Sequence, residues 1–206
     1  MFCGKPLIAH TIEQAKQSKY IDRVIVSTEA TEIVRISLEY CAEVPFLRPM
    51  ELAGDSSSTV AVLLHAINWL ECTEQYAFDI LVLLHVTTPL RNVEDIDNSI
   101  ALLVEENADN VFSVADAHRN PYFNMVEEDK DGFIKLVKEG NYLTRQAAPK
   151  VYDMNASIYV WWKEIFKKKR ELFSKKTKIY IMPKERSMDI DDGLDFLIAE
   201  FLYTNC

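Results

Sequence analysis

Two carboxylates separated by one apolar residue, Asp189 and Asp191 in the run Ser187-Met188-Asp189-Ile190-Asp191-Asp192, form the pattern in this chain best suited to chemistry. They fall between an apolar run at 179–182, read as a buried strand, and a periodic apolar run at 194–203, read as a helix. At a strand end, side chains at i and i+2 point the same way. Two carboxylates held side by side repel each other unless a cation sits between them. Mg2+ and Mn2+ favour such oxygen ligands, and Mg2+ typically takes one or two carboxylates, with phosphate and water completing its shell. The pair therefore suggests a Mg2+ (or Mn2+) site that handles a nucleotide phosphate. The same residues also suit a solvated turn, because Asp191 and Asp192 are good residues for a helix start.

Other polar clusters fall where open α/β sheets bind ligands, beyond the carboxyl ends of strands. Ser27-Thr28-Glu29 follows one apolar run, and His85-Val86-Thr87-Thr88-Pro89-Leu90-Arg91 follows another. Arg48-Pro49 and Asp55-Ser56-Ser57-Ser58 lie in a loop before a helical pattern. Each alone has an ordinary explanation: Thr87 and Thr88 as caps, Arg48 as a surface cation. Their common location argues for one pocket.

The elements that must position these residues alternate. Helical periodicity covers residues 6–19, 29–41, 58–71 and 93–106. Short, continuously apolar strands are expected at 23–28, 79–84 and 110–114, with a Pro45-containing edge strand at 43–47. This alternation predicts a mostly parallel sheet with helices on both faces. The pattern then changes. Residues 122–127 and 133–137 read as a hairpin around Asp129-Lys130-Asp131-Gly132, followed by a loop at 140–150. A strand at 158–161 and a basic helix at 163–173 come next. One domain spans 1–206, with 117–150 as an insertion suited to a dimer arm or lid.

Composition narrows the function. A net charge of -9 argues against a general nucleic-acid binder, while leaving room for a small anion in a local basic pocket. The lysines and Arg170 within 163–170 read as a solvated helix face. Cys3, Cys41, Cys72 and Cys206 form no CxxC pair and read as scattered thiols of a reducing compartment. Without a long apolar span or signal peptide, the chain reads as cytoplasmic, with no membrane partner. His65 and His10 read as core residues, His118 as a loop residue able to reach a substrate across a dimer, and Trp69, Trp161 and Trp162 as packing residues.

Several blocks resemble the acylneuraminate cytidylyltransferases, or CMP-sialic acid synthetases. They are Gly4-Lys5-Pro6-Leu7-Ile8, Val26-Ser27-Thr28, Val44-Pro45-Phe46-Leu47-Arg48-Pro49 and Glu51-Leu52-Ala53. Leu84-His85-Val86-Thr87-Thr88-Pro89-Leu90-Arg91 is similar to that family's Leu-Gln-Pro-Thr-Ser-Pro-Leu-Arg motif. Arg145-Gln146, Asn155-Ala156-Ser157-Ile158-Tyr159 and Ser187-Met188-Asp189-Ile190-Asp191 match its later blocks in collinear order. The resemblance implies a three-layer α/β/α, Rossmann-like nucleotide-diphospho-sugar transferase fold with a small hairpin dimerisation insertion. It implies that CTP and an acidic nine-carbon 2-keto sugar give a CMP-sugar and pyrophosphate in a homodimer. By the same resemblance, Asp189 and Asp191 hold Mg2+ against phosphates and sugar. Arg145 neutralises substrate charge, from the partner subunit, with Gln146 among the substrate contacts. His85, Thr87, Asn155 and Tyr159 serve the sugar side, and Arg48 and Ser58 the nucleotide side.

The departures point to altered contacts. His85 replaces a Gln, Ala156 replaces a Gly, and Asp153 stands where sialic-acid members often carry Arg. The family's opening strand and its loop of the Ala-Arg-x-Gly-Ser-Lys type have no counterpart in Met1-Phe2-Cys3-Gly4-Lys5, so weak CTP binding and an open strand position are expected. Arg48, Arg91 and Arg145 are the arginines expected to hold part of the ligand. Two alternatives accompany the leading reading: a cytidylyltransferase for legionaminic, pseudaminic or ketodeoxynonulosonic acid, and a degenerate, non-catalytic binding or assembly subunit.

Overall fold

The structure, a computed structural model, describes residues 1–54 and 57–205. Asp55 and Ser56 of the expected pre-helix loop, and Cys206, lie outside the described residues. The first half carries helices α1 (Leu7–Gln17), α2 (Thr31–Glu39), α3 (Thr59–Cys72) and α4 (Val93–Glu105), with strand β1 (Ile80–Leu84) between the last two. Strand β2 (Asn110–Asp116) leads into a hairpin, β3 (Val126–Glu128) and β4 (Ile134–Leu136). Strand β5 (Tyr152–Trp162), helix α5 (Lys163–Lys169), strand β6 (Thr177–Ile181) and helix α6 (Gly193–Asn205) complete the chain.

The main sheet has the order β1-β5-β2-β6. It is mixed rather than mostly parallel as expected: β5 runs antiparallel to both β1 and β2, while β2 and β6 are parallel. The reason lies in the connection. No helix separates β2 from β5, only the hairpin and its loop, so the chain returns beside β2 without a crossover.

Side-chain alternation makes this sheet the middle of three layers. Ile80, Val82 and Leu84 of β1, with Ile158 and Val160 of β5, pack against Ile96, Ile100 and Leu103 of α4. Leu81 and Leu83, with Tyr159 and Trp161, face Leu63 and Ile67 of α3 and Phe166 of α5. Helix α4 starts cleanly because Asn92 and Asp95 form a reciprocal capping box.

Two expected strands, 23–28 and 43–47, form no ladder. Only Ile25 and Glu43 pair, as an isolated parallel bridge, with Val26 N donating to Glu43 O (2.8 Å) and Glu43 N to Val24 O (2.8 Å). Residues 24–26 meet 43 on one side only, and no strand pairs with their other edge among the described residues. The expected hairpin does form. Gly132 takes φ +84 at its turn, and Asp129 Oδ1 accepts from Asp131 N and Phe133 N (both 3.0 Å).

Strand β5 carries a bulge opposite β2, where the register shifts between Phe112 and Val114. At the bulge Ala156 adopts φ +42, a left-handed conformation that burdens any residue with a Cβ. Ala156→Gly is therefore expected to stabilise the fold by roughly 1 kcal/mol. Urea unfolding should show a higher midpoint at unchanged slope; a lower midpoint would contradict the strain.

Candidate active site

The bulge and the loop after β6 build one polar site at the end of the sheet. Asp189 does not follow a strand directly. β6 ends at Ile181, and a 3-10 turn, Lys184–Arg186, intervenes. The side-by-side display expected of a strand end therefore gives way to a loop pinned at three places. Arg186 donates to the buried Asp95 through Nε (2.8 Å) and Nη2 (2.9 Å). Ser187 Oγ donates to Pro183 O (2.8 Å) and accepts from Asn155 Nδ2 (3.1 Å). Ile190 N donates to Thr87 O (2.9 Å).

Asn155 owes its orientation to the bulge. Ser113 Oγ accepts from Ile158 N (2.8 Å), and donates to Asn155 Oδ1 (2.7 Å). With its oxygen so engaged, Asn155 turns its Nδ2 toward Ser187 and the Met182 sulfur (3.3 Å). Expected as a sugar contact, Asn155 is 5% exposed and its amide is bonded internally, so in this structure it positions the Asp189 loop.

Asp189 sits beside His85 and Tyr159. Its negative charge acts on the pKa of both, and the two rings meet edge-on at 5.0 Å. One Asp189 oxygen, Oδ1, and His85 Nε2 are buried without a hydrogen-bond partner among the described residues. Burial, followed by the nearby Arg91 cation, lowers the His85 pKa, with Asp189 partly opposing. Burial, then Asp189, raises that of the Tyr159 phenol. Both shifts favour a neutral imidazole and a neutral phenol, beside an aspartate oxygen left unused among the described residues. An unused buried carboxylate oxygen invites a cation or a donor.

The remaining expected residues fall at two distances from this centre. Thr87 is exposed on the same rim and touches the loop through its carbonyl. Asp191 is exposed, and its backbone N donates to Asp195 Oδ2 (3.1 Å) at the start of α6. Among the described residues, no three His, Cys, Asp or Glu side chains gather closely enough to hold a metal ion. A Mg2+ that also takes phosphate and water requires fewer protein ligands, and Asp189 fits that demand. Arg48 donates to Ser27 O and to Ser27 Oγ (3.3 Å), and lies with His85 along one cavity. Ser58 is the exposed N-cap of α3 and makes no side-chain cap bond. Arg145 and Gln146 are exposed on the insertion, where Arg145 Nη2 donates to Ala117 O (2.6 Å). No hydrogen bond joins either residue to Asp189, His85 or Asn155 among the described residues.

Arg91 corrects an expectation. It is 2% exposed and cannot meet a ligand. Its Nη1 donates to His85 O (2.7 Å) and Thr88 Oγ1 (2.8 Å), and its Nη2 to Thr11 Oγ1 (2.8 Å). Sequence reasoning missed this clamp, as it missed Ser113, Asp95 and Arg186. The Asn92-x-x-Asp95 spacing was the one local signal available, since it has the form of a capping box. Asp153, by contrast, stands exposed near the insertion, its Oδ2 accepting from His118 N (3.2 Å).

Residues 1–199 match the family model described as Cytidylyltransferase. The chain belongs to that family. As a member it is a nucleotidyltransferase, and the non-catalytic alternative is not favoured. It is 39% identical over 196 residues to a CMP-N,N'-diacetyllegionaminic acid synthase of Campylobacter jejuni, covering 95% of this chain and 83% of the relative. It is 30% identical over 196 residues to an N-acylneuraminate cytidylyltransferase of Streptococcus agalactiae, covering 94% of this chain and 46% of that protein. A solved CMP:2-keto-3-deoxy-manno-octonic acid synthetase complexed with CTP superposes with a TM-score of 0.68 at 12% identity, over 99% of this chain and 90% of that one. That likeness establishes the Rossmann-like α/β fold.

The half-buried His85 generates a pH test. Its folded-state pKa lies below the value of about 6.5 for an unfolded chain, so the folded state binds the proton less readily. Stability should fall as pH drops from about 6.5 through the depressed folded value. His85→Gln should flatten that acid limb in urea midpoints taken between about pH 7 and pH 5. Identical limbs in the two proteins would contradict the burial of a neutral imidazole.

Proposed function

We propose that this enzyme transfers CMP from CTP to a nonulosonic, sialic acid-like 2-keto sugar acid. The sugar's anomeric oxygen attacks the α-phosphorus. The bond from that phosphorus to the bridging oxygen breaks, pyrophosphate departs with the electron pair, and the hydroxyl proton passes to solvent water. The observation that carries this reading is the unpaired Asp189 oxygen beside neutral His85 and Tyr159, in a chain of the cytidylyltransferase family. Such transfers depend on in-line positioning and charge neutralisation more than on covalent chemistry.

Each residue has a part in this reading. Asp189, with Asp191, holds Mg2+ (or Mn2+), and a metal bound there supplies neutralisation of phosphate charge. His85, Thr87 and Tyr159 face the sugar, and Asn155 fixes the loop that carries the carboxylate. Arg48 serves the nucleotide. So does the N-terminus of α3 at Ser58, whose side chain makes no cap bond and where the helix dipole favours an anion. Arg145 and Gln146 reach substrate from a partner subunit. The relative named for N,N'-diacetyllegionaminic acid is the more similar of the two compared, and Asp153 replaces a cation expected for sialic acid. Both favour a legionaminic-type acid as acceptor. Among the described residues no helix is long and apolar enough to cross a membrane.

Homodimerisation is part of the proposal. On the insertion, Phe133 is 72% and Leu143 95% exposed, an apolar surface that a partner would cover. Light scattering should give a dimer mass, and the double variant Phe133→Ser, Leu143→Ser should shift it to monomer. A monomeric parent at micromolar concentration would contradict the arm.

The reaction is tested by following CMP-sugar formation from CTP across a magnesium titration. Asp189→Ala is expected to lower turnover at saturating magnesium by about a hundredfold or more, and Asp191→Ala to raise the magnesium required. Unchanged rates in both variants would remove the metal assignment. Inactivity of the parent toward every nonulosonic acid would remove the substrate assignment.

A further inference from the structure

Strand β6 ends the sheet order, and its outer edge meets no other strand among the described residues. Its polar groups alternate in direction. Asp109 N donates to Lys176 O (3.1 Å), and Met182 N donates to Val114 O (2.8 Å). The even-numbered residues therefore turn their N–H and C=O toward β2. Thr177, Ile179 and Ile181 turn theirs outward, to the open edge. Such a row of backbone groups is a template for another strand.

The side chains along this edge are apolar where a lone edge would be charged. In the ladder Ile179 lies beside Phe112 and Ile181 beside Val114, both of them buried. Phe173, just before the strand, meets the Phe112 ring edge-on at 4.9 Å. Phe173, Ile179 and Ile181 are 53%, 36% and 45% exposed, so an apolar patch follows the edge on one face. Lysine is a common guard of edge strands. Here Lys178 lies on the opposite face, drawn back toward the end of α4 by Glu106 at 2.7 Å.

We propose that β6 pairs antiparallel with β6 of a second copy, about a two-fold axis through Ile179. The register identifies the occupant. Across this edge only odd-numbered residues can bond, and a strand that pairs with its own copy sets one residue opposite itself. A centre at Thr177 or Lys178 would set lysine against lysine. A centre at Tyr180 or Ile181 would bring Pro183, which has no N–H, opposite a bonding residue of the strand. A centre at Ile179 avoids both faults. Thr177 then meets the partner's Ile181, Ile179 meets the partner's Ile179, and Lys178 meets the ring of the partner's Tyr180. The odd-numbered pairs exchange both of their N–H···O bonds. On one face of the joined sheet the two apolar patches merge across the axis. A ladder of 5 residues is small beside the interfaces of stable complexes, so this association belongs to high protein concentration. It is separate from the contact of the insertion and does not depend on the reaction proposed above.

The test uses the chain carrying Phe133→Ser and Leu143→Ser, so that the insertion takes no part. Its mass by sedimentation equilibrium is expected to double between about 5 µM and about 500 µM. Ile179→Lys and Ile179→Glu each set like charges opposite one another on the axis, and each is expected to weaken association by about tenfold or more at low salt. An equimolar mixture of the two variants is expected to recover it, because Lys then faces Glu. Position 179 is partly exposed, so both variants should keep the circular dichroism of the parent. Without either charge, amide exchange should slow at Ile179 and Ile181 as concentration rises, while Lys178 and Tyr180, already bonded to β2, stay unchanged. A mass that stays constant over this range would overturn the proposal. So would association that survives both charged variants, a mixture that does not recover it, or slowed exchange on α6 in place of β6.

Discussion

The guanidinium of Arg91 is the interaction on which the site depends. This cation is 2% exposed; its Nη1 and Nη2 are bonded to carbonyls and hydroxyls rather than to a carboxylate, while its buried Nε finds no hydrogen-bond partner among the described residues. Burial, partly opposed by the Asp95 carboxylate, lowers its pKa to about 9, so it remains charged at neutral pH. The groups it holds come from four places: the residue after β1 (His85), the turn that follows (Thr88), the bulged part of β5 (Ser157) and helix α1 (Thr11). One planar fork therefore fixes the loop from 85 to 91 against both the sheet and a covering helix. Lysine, a single point donor, could not bridge these directions.

From that fixed loop the rest of the site is built outward. Thr87 O receives Ile190 N, which sets the height of the Asp189 loop above the sheet. Asp95, already committed to the cap of α4, also receives Arg186 and the Tyr180 hydroxyl (3.1 Å), so one buried carboxylate ties helix start, strand and loop together. These bonds hold the Asp189 carboxylate against His85 and Tyr159 before any ligand arrives. A pre-positioned carboxylate loses less freedom on binding a cation than one on a free loop.

The helices and the hairpin were legible in the sequence because their signals are local: apolar period, Pro6 before α1, Asn92 before α4, and Asp129 to Gly132 at a turn. The strand directions were not. Parallel pairing was inferred from alternation of helix and strand, and β5 breaks that rule because an insertion rather than a helix precedes it. Segments 23–28 and 43–47 have the composition of strands, yet among the described residues they share only the Ile25–Glu43 bridge, and pairing is a tertiary fact that composition does not carry. In the site, Asp189, His85 and Tyr159 were legible from residue type and motif. Ser113 and Arg186 were not, since each acts through a partner more than forty positions away in sequence. Arg91 was legible as a motif residue but misread in role. An arginine after a strand suits a phosphate ligand and a buried clamp equally well, and burial is a tertiary fact.

The fate of the arginines also shapes the electrostatics of the proposed reaction. A triphosphate and a sugar carboxylate must meet a chain with a net charge of -9. Arg91 is sealed in the core, and Lys5 is paired with Glu13 at 2.7 Å. Arg48 is bonded to Ser27 and lies 3.8 Å from Glu29, so part of its field is already answered. Arg145 remains exposed, but on the insertion, away from Asp189 in its hydrogen bonding. Side-chain cations within one subunit therefore supply little neutralisation where phosphorus would be attacked. The arrangement favours recruiting positive charge with the substrate or from a second copy, and an unpaired Asp189 oxygen is the complementary feature for the first of these. On this reasoning the negative charge of the loop is a means of selecting a metal-bound nucleotide over the free anion, because the bare triphosphate meets repulsion at the point where its metal complex meets a ligand.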